Sequence, residues 1–524
     1  MEEYIDRRKG IKLKINIKIY SISIYLYIMN EQTTHEATPH GSIAPMLDKN
    51  EKPPEIKDSK KDFEKMVTYF LSNNPSVKVD YKMSELEVRF GTNPKKYRPI
   101  SKQDYDNTVQ QLFSAGFTTL NSNGLHILRI NNEYMNEKKG MMMMSNIRAE
   151  IVGIDLVQEY CRTNSIQKIL DMPSTISANS DKLKFTQKSP PPPPNLRNAD
   201  FYDFNFRVSH QLEQDYTTRS NIAKNIITKW NDSRKTFRYL NRVRFSHPDY
   251  PIFADLSIVR GSDTSNRVPI PQYTIQEAKV LTTQEKYEIE LEVDNSRVGP
   301  GTNFNTPKSL LDAIRKTIRI VMSGLQGTNY PISFAERDKI LQSYIKLLHG
   351  EDILNKRMNS REGFRVFNKD FSGPSSYTLQ IENVTLENEQ SNIPNIRSNY
   401  SVTDKADGER KLLYISENGR IYMIDTNMNV IFTGLMTEEK KVHESLIDGE
   451  FIKYNKKGNI CNLYAAFDIY FINTKSVREM GFMPQLETDL ENKFRLPLLQ
   501  KLLSLLNNIF QDRRSEERRV GKEC

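Results

Sequence analysis

Cysteine is nearly absent from this chain. The 524 residues hold only Cys161, Cys461 and Cys524, at no paired spacing, which argues against a disulfide framework and against zinc sites. Long apolar runs are missing too. Ile11 to Ile28 alternates Lys, Asn and Ser with Ile, Leu and Tyr. That run is too broken to span a bilayer, and it lacks the compact apolar region and small-residue cleavage site of a secretory signal. An intracellular chain with no membrane partner is expected. No single tail dominates the charge: 75 Lys and Arg stand against 66 Asp and Glu, spread widely, for a net charge of +9 and a pI near 9.0. This balance favours a polyanionic partner, such as an RNA end entering a basic channel. The length allows two to four domains with proper cores.

What is present begins with Lys405-Ala406-Asp407-Gly408-Glu409-Arg410, which fits K-x-D-G-x-R. A lysine amine that attacks a phosphorus must be partly deprotonated near neutral pH, and neighbouring cations or a metal lower its pKa. Gly408 lets backbone approach a phosphate with no Cβ in the way. Arg410 offers a fork of donors for phosphate or ribose oxygens. A strand is expected to enter the motif at Tyr400 to Thr403 and another to leave it at Lys411 to Ile415. Two apolar strands carrying acids follow, Leu446 to Ile452 with Glu450 and Ala465 to Phe471 with Phe467 and Asp468. Taken singly, each is an apolar strand with an acid, and the motif is a charged loop. Their order and spacing favour the chemical reading.

Upstream, Ser84 to Gly91 and Tyr287 to Asp294 alternate acid with aliphatic. Period 2 places Glu85 and Glu87 on one face of a strand and Glu288, Glu290 and Glu292 on one face of another. Carboxylates brought together repel unless a cation sits among them, and hard oxygens suit Mg²⁺ or Mn²⁺. The plainer alternative is a solvated acidic face. Against it, basic strands of the same period lie between. Arg238, Arg242 and Arg244 share a face, as do Arg207 and Ser209, and Asp255 and Ser257. A closed barrel lined by both signs would hold a metal and a polyphosphate together.

These strands resemble those of the triphosphate tunnel metalloenzymes, and the lysine motif resembles that of the covalent nucleotidyltransferases, a superfamily that also contains polynucleotide ligases. In this order the two resemble the multifunctional mRNA capping enzymes of nucleocytoplasmic large DNA viruses. Gln326 to Ser333 and Phe371 to Gln380 look like stretches found between the two domains there. The resemblance implies an α+β fold: an antiparallel β tunnel, a helical linker, and a partial nucleotidyltransferase domain (ATP-grasp-like, with a covalent lysine). It implies a metal held by Glu85, Glu87, Glu288, Glu290 and Glu292. Arg207, Arg242 and Arg244 would bind phosphates, with Asp255 and Ser257 in the tunnel floor. Phe253 departs from relatives that carry a basic residue there, and Arg238 is expected to supply the missing contact. Lys405 would take GMP, with Asp407, Arg410, Glu450, Phe467 and Asp468 around the nucleotide. Implied substrates are 5′-triphosphate RNA and GTP. Implied partners are a small methyltransferase-stimulating subunit or the viral RNA polymerase, in the virion or the host cytoplasm.

Along the chain, residues 1–58 read as a leader whose first 28 residues precede Met29 and are expected to be untranslated. The tunnel is expected over 59–300, the linker and the start of the second domain over 301–395, and the partial guanylyltransferase over 396–513. Neither an acid-Gly strand nor a Lys-x-Lys pair follows Phe471, so guanylylation is expected to be impaired. Arg514 to Cys524 reads as a translated sequencing adapter. Helices are expected at Lys60 to Asn73 and Ser101 to Ala115, two more bridging the domains within Leu310 to Leu348, and a last one around Leu496 to Phe510. Met141 to Met144 is expected to fill a core edge, and the prolines up to Pro194 to form a polyproline II spacer. Two other functions fit parts of the pattern: an ATP-dependent ligase-like enzyme and a non-catalytic RNA-end-binding scaffold.

Overall fold

The computed structural model describes residues 25–27, 58–73, 75–77, 82–93, 98–119, 121–172, 183–191, 196–385, 393–397, 400–401, 405–458, 460–484 and 493–506. Most of the expected leader, residues 402–404 ahead of the lysine motif, most of the proline run and Arg514 to Cys524 lie outside these. The chain forms two compact units, Pro39–Gly327 and Thr328–Cys524 together with Met1–Thr38.

The first unit is an antiparallel barrel of strands β1 (Met83–Phe90), β2 (Leu125–Asn136), β3 (Met141–Val152), β4 (Leu183–Ser189), β5 (Phe206–Tyr216), β6 (Lys235–Phe245), β7 (Ile252–Gly261) and β8 (Lys286–Val293). The order around it is β1-β8-β7-β6-β2-β3-β4-β5, and pairing of β5 with β1 closes it. A short strand, Asn198–Phe201, flanks β5. The alternation of β1 and β8 sends Leu86, Val88, Ile289, Leu291 and Val293 outward into the core. The acids on the opposite side of each strand therefore face the lumen, not solvent.

Three helices cover this outer face. Ser59–Ser72 buries Phe63, Met66, Val67 and Phe70; Lys102–Ser114 opens on a Ser101/Asp104 capping box; Pro307–Gln326 starts with proline in its first turn behind the Thr306 cap. Each large apolar side chain buried there contributes roughly 1.5–3 kcal/mol. The last two helices pack so closely that a Cβ on Gly324 would lie 2.7 Å from Thr108 Cα. A second apolar cluster, built around Leu156, Tyr160 and Trp230, covers β2, β3 and β4. The methionine run behaves differently from expectation: Met141 and Met142 are exposed on β3, because the β2–β3 hairpin extends past the residues that β4 pairs.

The second unit is a sheet containing β9 (Glu409–Ile415), β10 (Arg420–Asp425), β11 (Val430–Met436), β12 (Ser445–Tyr454) and β13 (Ile460–Ile472). Its path runs β13-β12-β9-β10-β11, and Tyr25–Tyr27 pairs along β13. Both faces are buried, which explains the unbroken apolar run of β9. Leu412 and Tyr414 meet the helix Phe334–His349 through Ile340, Leu341 and Tyr344. Leu413 and Ile415 face the cluster that holds Leu499, Leu502, Leu503 and Leu506 of the helix at 495–506. The two helices expected as a bridge each pack into the core of their own unit. No helix among the described residues is long and apolar enough to cross a membrane.

Candidate active sites: a charged lumen and a lysine loop

Strand register sets the lumen. Glu290 stands opposite Arg89 of β1 and Asp255 of β7, and Arg242 and Arg244 of β6 stand opposite Ser257 and Asp255. The inward side chains line a cavity of about 850 Å³. Glu290 receives Arg89 Nε at 3.0 Å and Arg242 Nη2 at 3.0 Å. Asp255, only 1% exposed, accepts from Arg242 at 2.8 Å and twice from Arg244 at 2.7 Å. Arg244 also reaches Glu292 at 2.6 Å, and Arg242 Nε donates to Ser257 Oγ at 3.2 Å. On the facing wall Lys188 bonds Glu85 and lies 3.9 Å from Glu87 and 3.6 Å from Glu213. Glu150 is held by Arg129 at 2.9 Å and Arg148 at 2.5 Å.

These contacts sort the carboxylates. Burial would raise Glu290, but Arg242 and Arg89 hold it below the ordinary carboxylate range. Glu150 is likewise buried, yet Arg129 and Arg148 bring it to about 2. Glu87 goes the other way: burial, offset in part by Lys188 and reinforced by Glu85 and Glu290, pushes it up to about 7. Of the neighbours Glu85, Glu87 and Glu290, only Glu87 is thus left short of positive charge, and its hard oxygens suit a divalent cation. Among the described residues, no three acidic, histidine or cysteine side chains gather around one point as metal ligands. Each of the five expected glutamates except Glu87 is turned onto an arginine or lysine at hydrogen-bond distance.

The lumen corrects the expected residue set in both directions. Glu288, Arg207 and Ser257 do not line the cavity. Glu288 bonds Arg238, and Arg207 is engaged by Asp200 of the flanking strand at 2.6 Å. Arg238 does line the cavity. Arg89, Arg129, Arg148, Lys184, Lys188 and Glu213 line it and were missed. The alternation Lys184-Thr186-Lys188 in β4 was the available signal.

The lysine loop is a contrast. Lys405 and Asp407 are exposed and pair at 2.5 Å. The Asp407 bond holds the amine above its ordinary pKa, opposite to the depression expected of a nucleophile. The Gly408 N–H donates to Glu450 Oε2 at 2.8 Å, so the motif and the β12 acid do meet. A Cβ on Gly408 would lie 2.7 Å from the Phe451 carbonyl oxygen, so strand packing already demands glycine there. Arg410 is not an open fork: it donates to both oxygens of fully buried Asp448, at 3.1 and 2.6 Å, and to the Pro374 carbonyl at 2.7 Å. Tyr470 OH donates to the same Asp448 at 2.5 Å. The Arg410 guanidinium carbon sits 5.4 Å from the Phe371 ring centre and 6.0 Å from that of Phe467, the expected base-stacking residue. Asp468 accepts from Arg495 at 2.8 and 3.2 Å. Asp448 and Arg495 were not anticipated as partners, since neither stands within the six-residue motif.

Comparisons with known proteins find matches to parts of the chain. Residues 382–508 match the family model described as mRNA capping enzyme, catalytic domain. A probable mRNA-capping enzyme of Acanthamoeba polyphaga mimivirus is 30% identical over 231 residues, 44% of this chain and 15% of that protein. The chain thus spans a small part of the length of the curated relative it matches. Among solved structures, a mimivirus capping enzyme triphosphatase aligns at TM-score 0.33 and 15% identity over 50% of this chain and 97% of its own. The S. pombe Pct1 RNA triphosphatase aligns at TM-score 0.28 and 16% identity over 53% and 98%. Similarity this low assigns nothing by itself. Residues 382–508 are thus similar to the catalytic domain of mRNA capping enzymes, and part of the chain is similar to a mimivirus one.

Proposed function

We propose that the chain forms mRNA 5′ ends in two steps, a 5′-triphosphatase step in the barrel and a guanylyl transfer at Lys405. The observation that carries the first is the lumen, where Arg89, Arg242, Arg244 and Lys188 face Glu85, Glu87, Glu290 and Glu292 around one closed-walled cavity. Opposed signs at this spacing suit a triphosphate chain. Water attacks the γ-phosphorus, the bond to the β–γ bridging oxygen breaks, and inorganic phosphate and diphosphate RNA result. The arginines and Lys188 bind the phosphate oxygens and offset charge as it moves to the leaving β-phosphate. Asp255 holds Arg242 and Arg244 in place for this. Glu85, Glu87 and Glu290 would hold Mg²⁺ or Mn²⁺, which when bound polarises a phosphate oxygen.

In the second step Lys405 Nζ attacks the α-phosphorus of GTP, a P–N bond forms and pyrophosphate leaves; the diphosphate RNA end then displaces the lysine. The Lys405–Asp407 pair must part first, since the amine attacks only when deprotonated. Glu450 and Phe467 flank this loop as ribose and base contacts.

The deciding measurement is γ-phosphate release from 5′-triphosphate RNA with Mg²⁺ or Mn²⁺, for the unmodified chain and Glu290→Ala. Cation-dependent release that the substitution abolishes supports the tunnel reading. No release from folded protein sinks it. Labelling of Lys405 by GTP but not ATP supports capping over ligation, and labelling by ATP alone reverses that choice.

A further inference from the structure

The lining of the cavity is chemically uneven. Its depth is charged: Arg89, Arg129, Arg148, Arg238, Glu87 and Glu290. At the opposite end, where β7 begins and β6 finishes, the lining changes to Thr119, Asn121, Leu125, Ser246, Phe253 and Asn295. These carry no charge, whereas on the β4–β5 side of the same end Glu213 and the Lys184–Asp215 pair, 3.0 Å apart, also line the cavity. The Thr118–Ser246 bridge, with N–H···O distances of 2.9 Å each way, fixes the loop before Thr119 against the end of β6. Asn295 spends its amide N–H on the Ser84 carbonyl at 2.6 Å and leaves Oδ1 buried with no hydrogen-bond partner. Phe253 lies partly exposed at this mouth, and the Arg244 guanidinium covers its ring at 4.5 Å. Arg244 is itself tied to Asp255 and Glu292, so the ring is backed by a fixed cation at the boundary between the charged and uncharged zones.

An uncharged arc of rim holding one cation-backed aromatic is poorly suited to phosphate and well suited to a nucleoside, whose base has a π-face and whose edges offer donors and acceptors. We propose that substrate RNA enters by this mouth and that Phe253 is the platform on which its first base stacks, with the triphosphate pointing inward. The inference rests on the triphosphatase reading. It makes Phe253 a substrate-binding residue that touches the base.

The test compares γ-phosphate release from triphosphate RNA with hydrolysis of inorganic tripolyphosphate, which has no base, for the unmodified chain, Phe253→Ala and Phe253→Tyr. The expected result is a roughly tenfold rise in KM for the RNA in Phe253→Ala, unchanged kcat, unchanged KM for tripolyphosphate, and recovery in Phe253→Tyr. The tripolyphosphate activity reports that the variant is folded. An equal shift with both substrates would show that Phe253 only props Arg244 and would overturn the inference, as would an unaltered KM for RNA. Cleavage of tripolyphosphate but not RNA by the unmodified chain would overturn it while leaving a phosphatase. Inactivity toward both would overturn the triphosphatase reading beneath it.

Discussion

The barrel lumen and the lysine loop solve the problem of holding charge in opposite ways. In the lumen, acids and bases from strands far apart in sequence are brought together out of water, and nearly every one is paired before substrate arrives. Preorganised groups of this kind lose little reorganisation energy at the moment of reaction. In the loop the reactive lysine is exposed and paired with a neighbour two residues away, while the buried part is the Arg410–Asp448 scaffold beneath it. A barrel site is built by register; the loop site is built by a short local motif resting on a rigid pair.

The largest effects would break this comparison if they crossed between regions. Lys405→Ala is expected to abolish covalent GMP labelling, leave thermal melting unchanged because the side chain is exposed, and leave γ-phosphate release intact. Glu290→Ala is expected to lower γ-phosphate release at least about a hundredfold without touching the label on Lys405. Loss of both activities in either variant would show that the two sites do not act independently.

How much of this was legible follows from the same difference. The alternation in β1 and β8 announced an acidic face and an apolar face, and period together with the resemblance to tunnel metalloenzymes singled out Glu85, Glu87, Glu290, Glu292, Arg242, Arg244 and Asp255, which line the cavity. Arg129 and Arg148 were not singled out, because their strands mix polar and apolar residues less regularly; Lys188 was overlooked despite its alternation, since only closure of the barrel puts it opposite the glutamates. Arg207 was read as a lumen residue by the same period, and the flanking strand Asn198–Phe201 captured it through Asp200. In the loop the motif itself was plain, but the saturation of Arg410 was not. Its partner Asp448 lies 38 residues on, in a strand whose apolar run hides the acid.

A smaller effect sharpens the contrast within the second unit. Arg410→Met would leave Asp448 buried with only Tyr470 as donor. Removing one partner of a buried pair costs about 3–5 kcal/mol, so denaturant unfolding should show destabilisation of that order. Lys405→Met should show none. Equal stability of the two variants would mean that the Arg410–Asp448 pair is no scaffold.

The subtlest effect concerns pH and belongs to the lumen alone. Glu87 keeps its proton up to about 7 in the folded chain, against an ordinary value of 4.5. Between those values the folded state binds more protons than the unfolded one, so stability falls as pH rises. The contribution is fully present below about 4.5 and lost as pH passes 7. Glu87→Gln imitates the protonated form and removes the dependence. In chelator, the variant should therefore gain on the unmodified chain between pH 5 and 8, by up to about 3 kcal/mol. Adding Mn²⁺ should close the gap by stabilising the unmodified chain, because a cation replaces the proton among Glu85, Glu87 and Glu290. If the two unfold alike at every pH, the carboxylates of the lumen are already neutralised by Lys188 and the arginines. The metal would then have no charge to satisfy there, and the lumen would differ from the loop in burial but not in electrostatic tension.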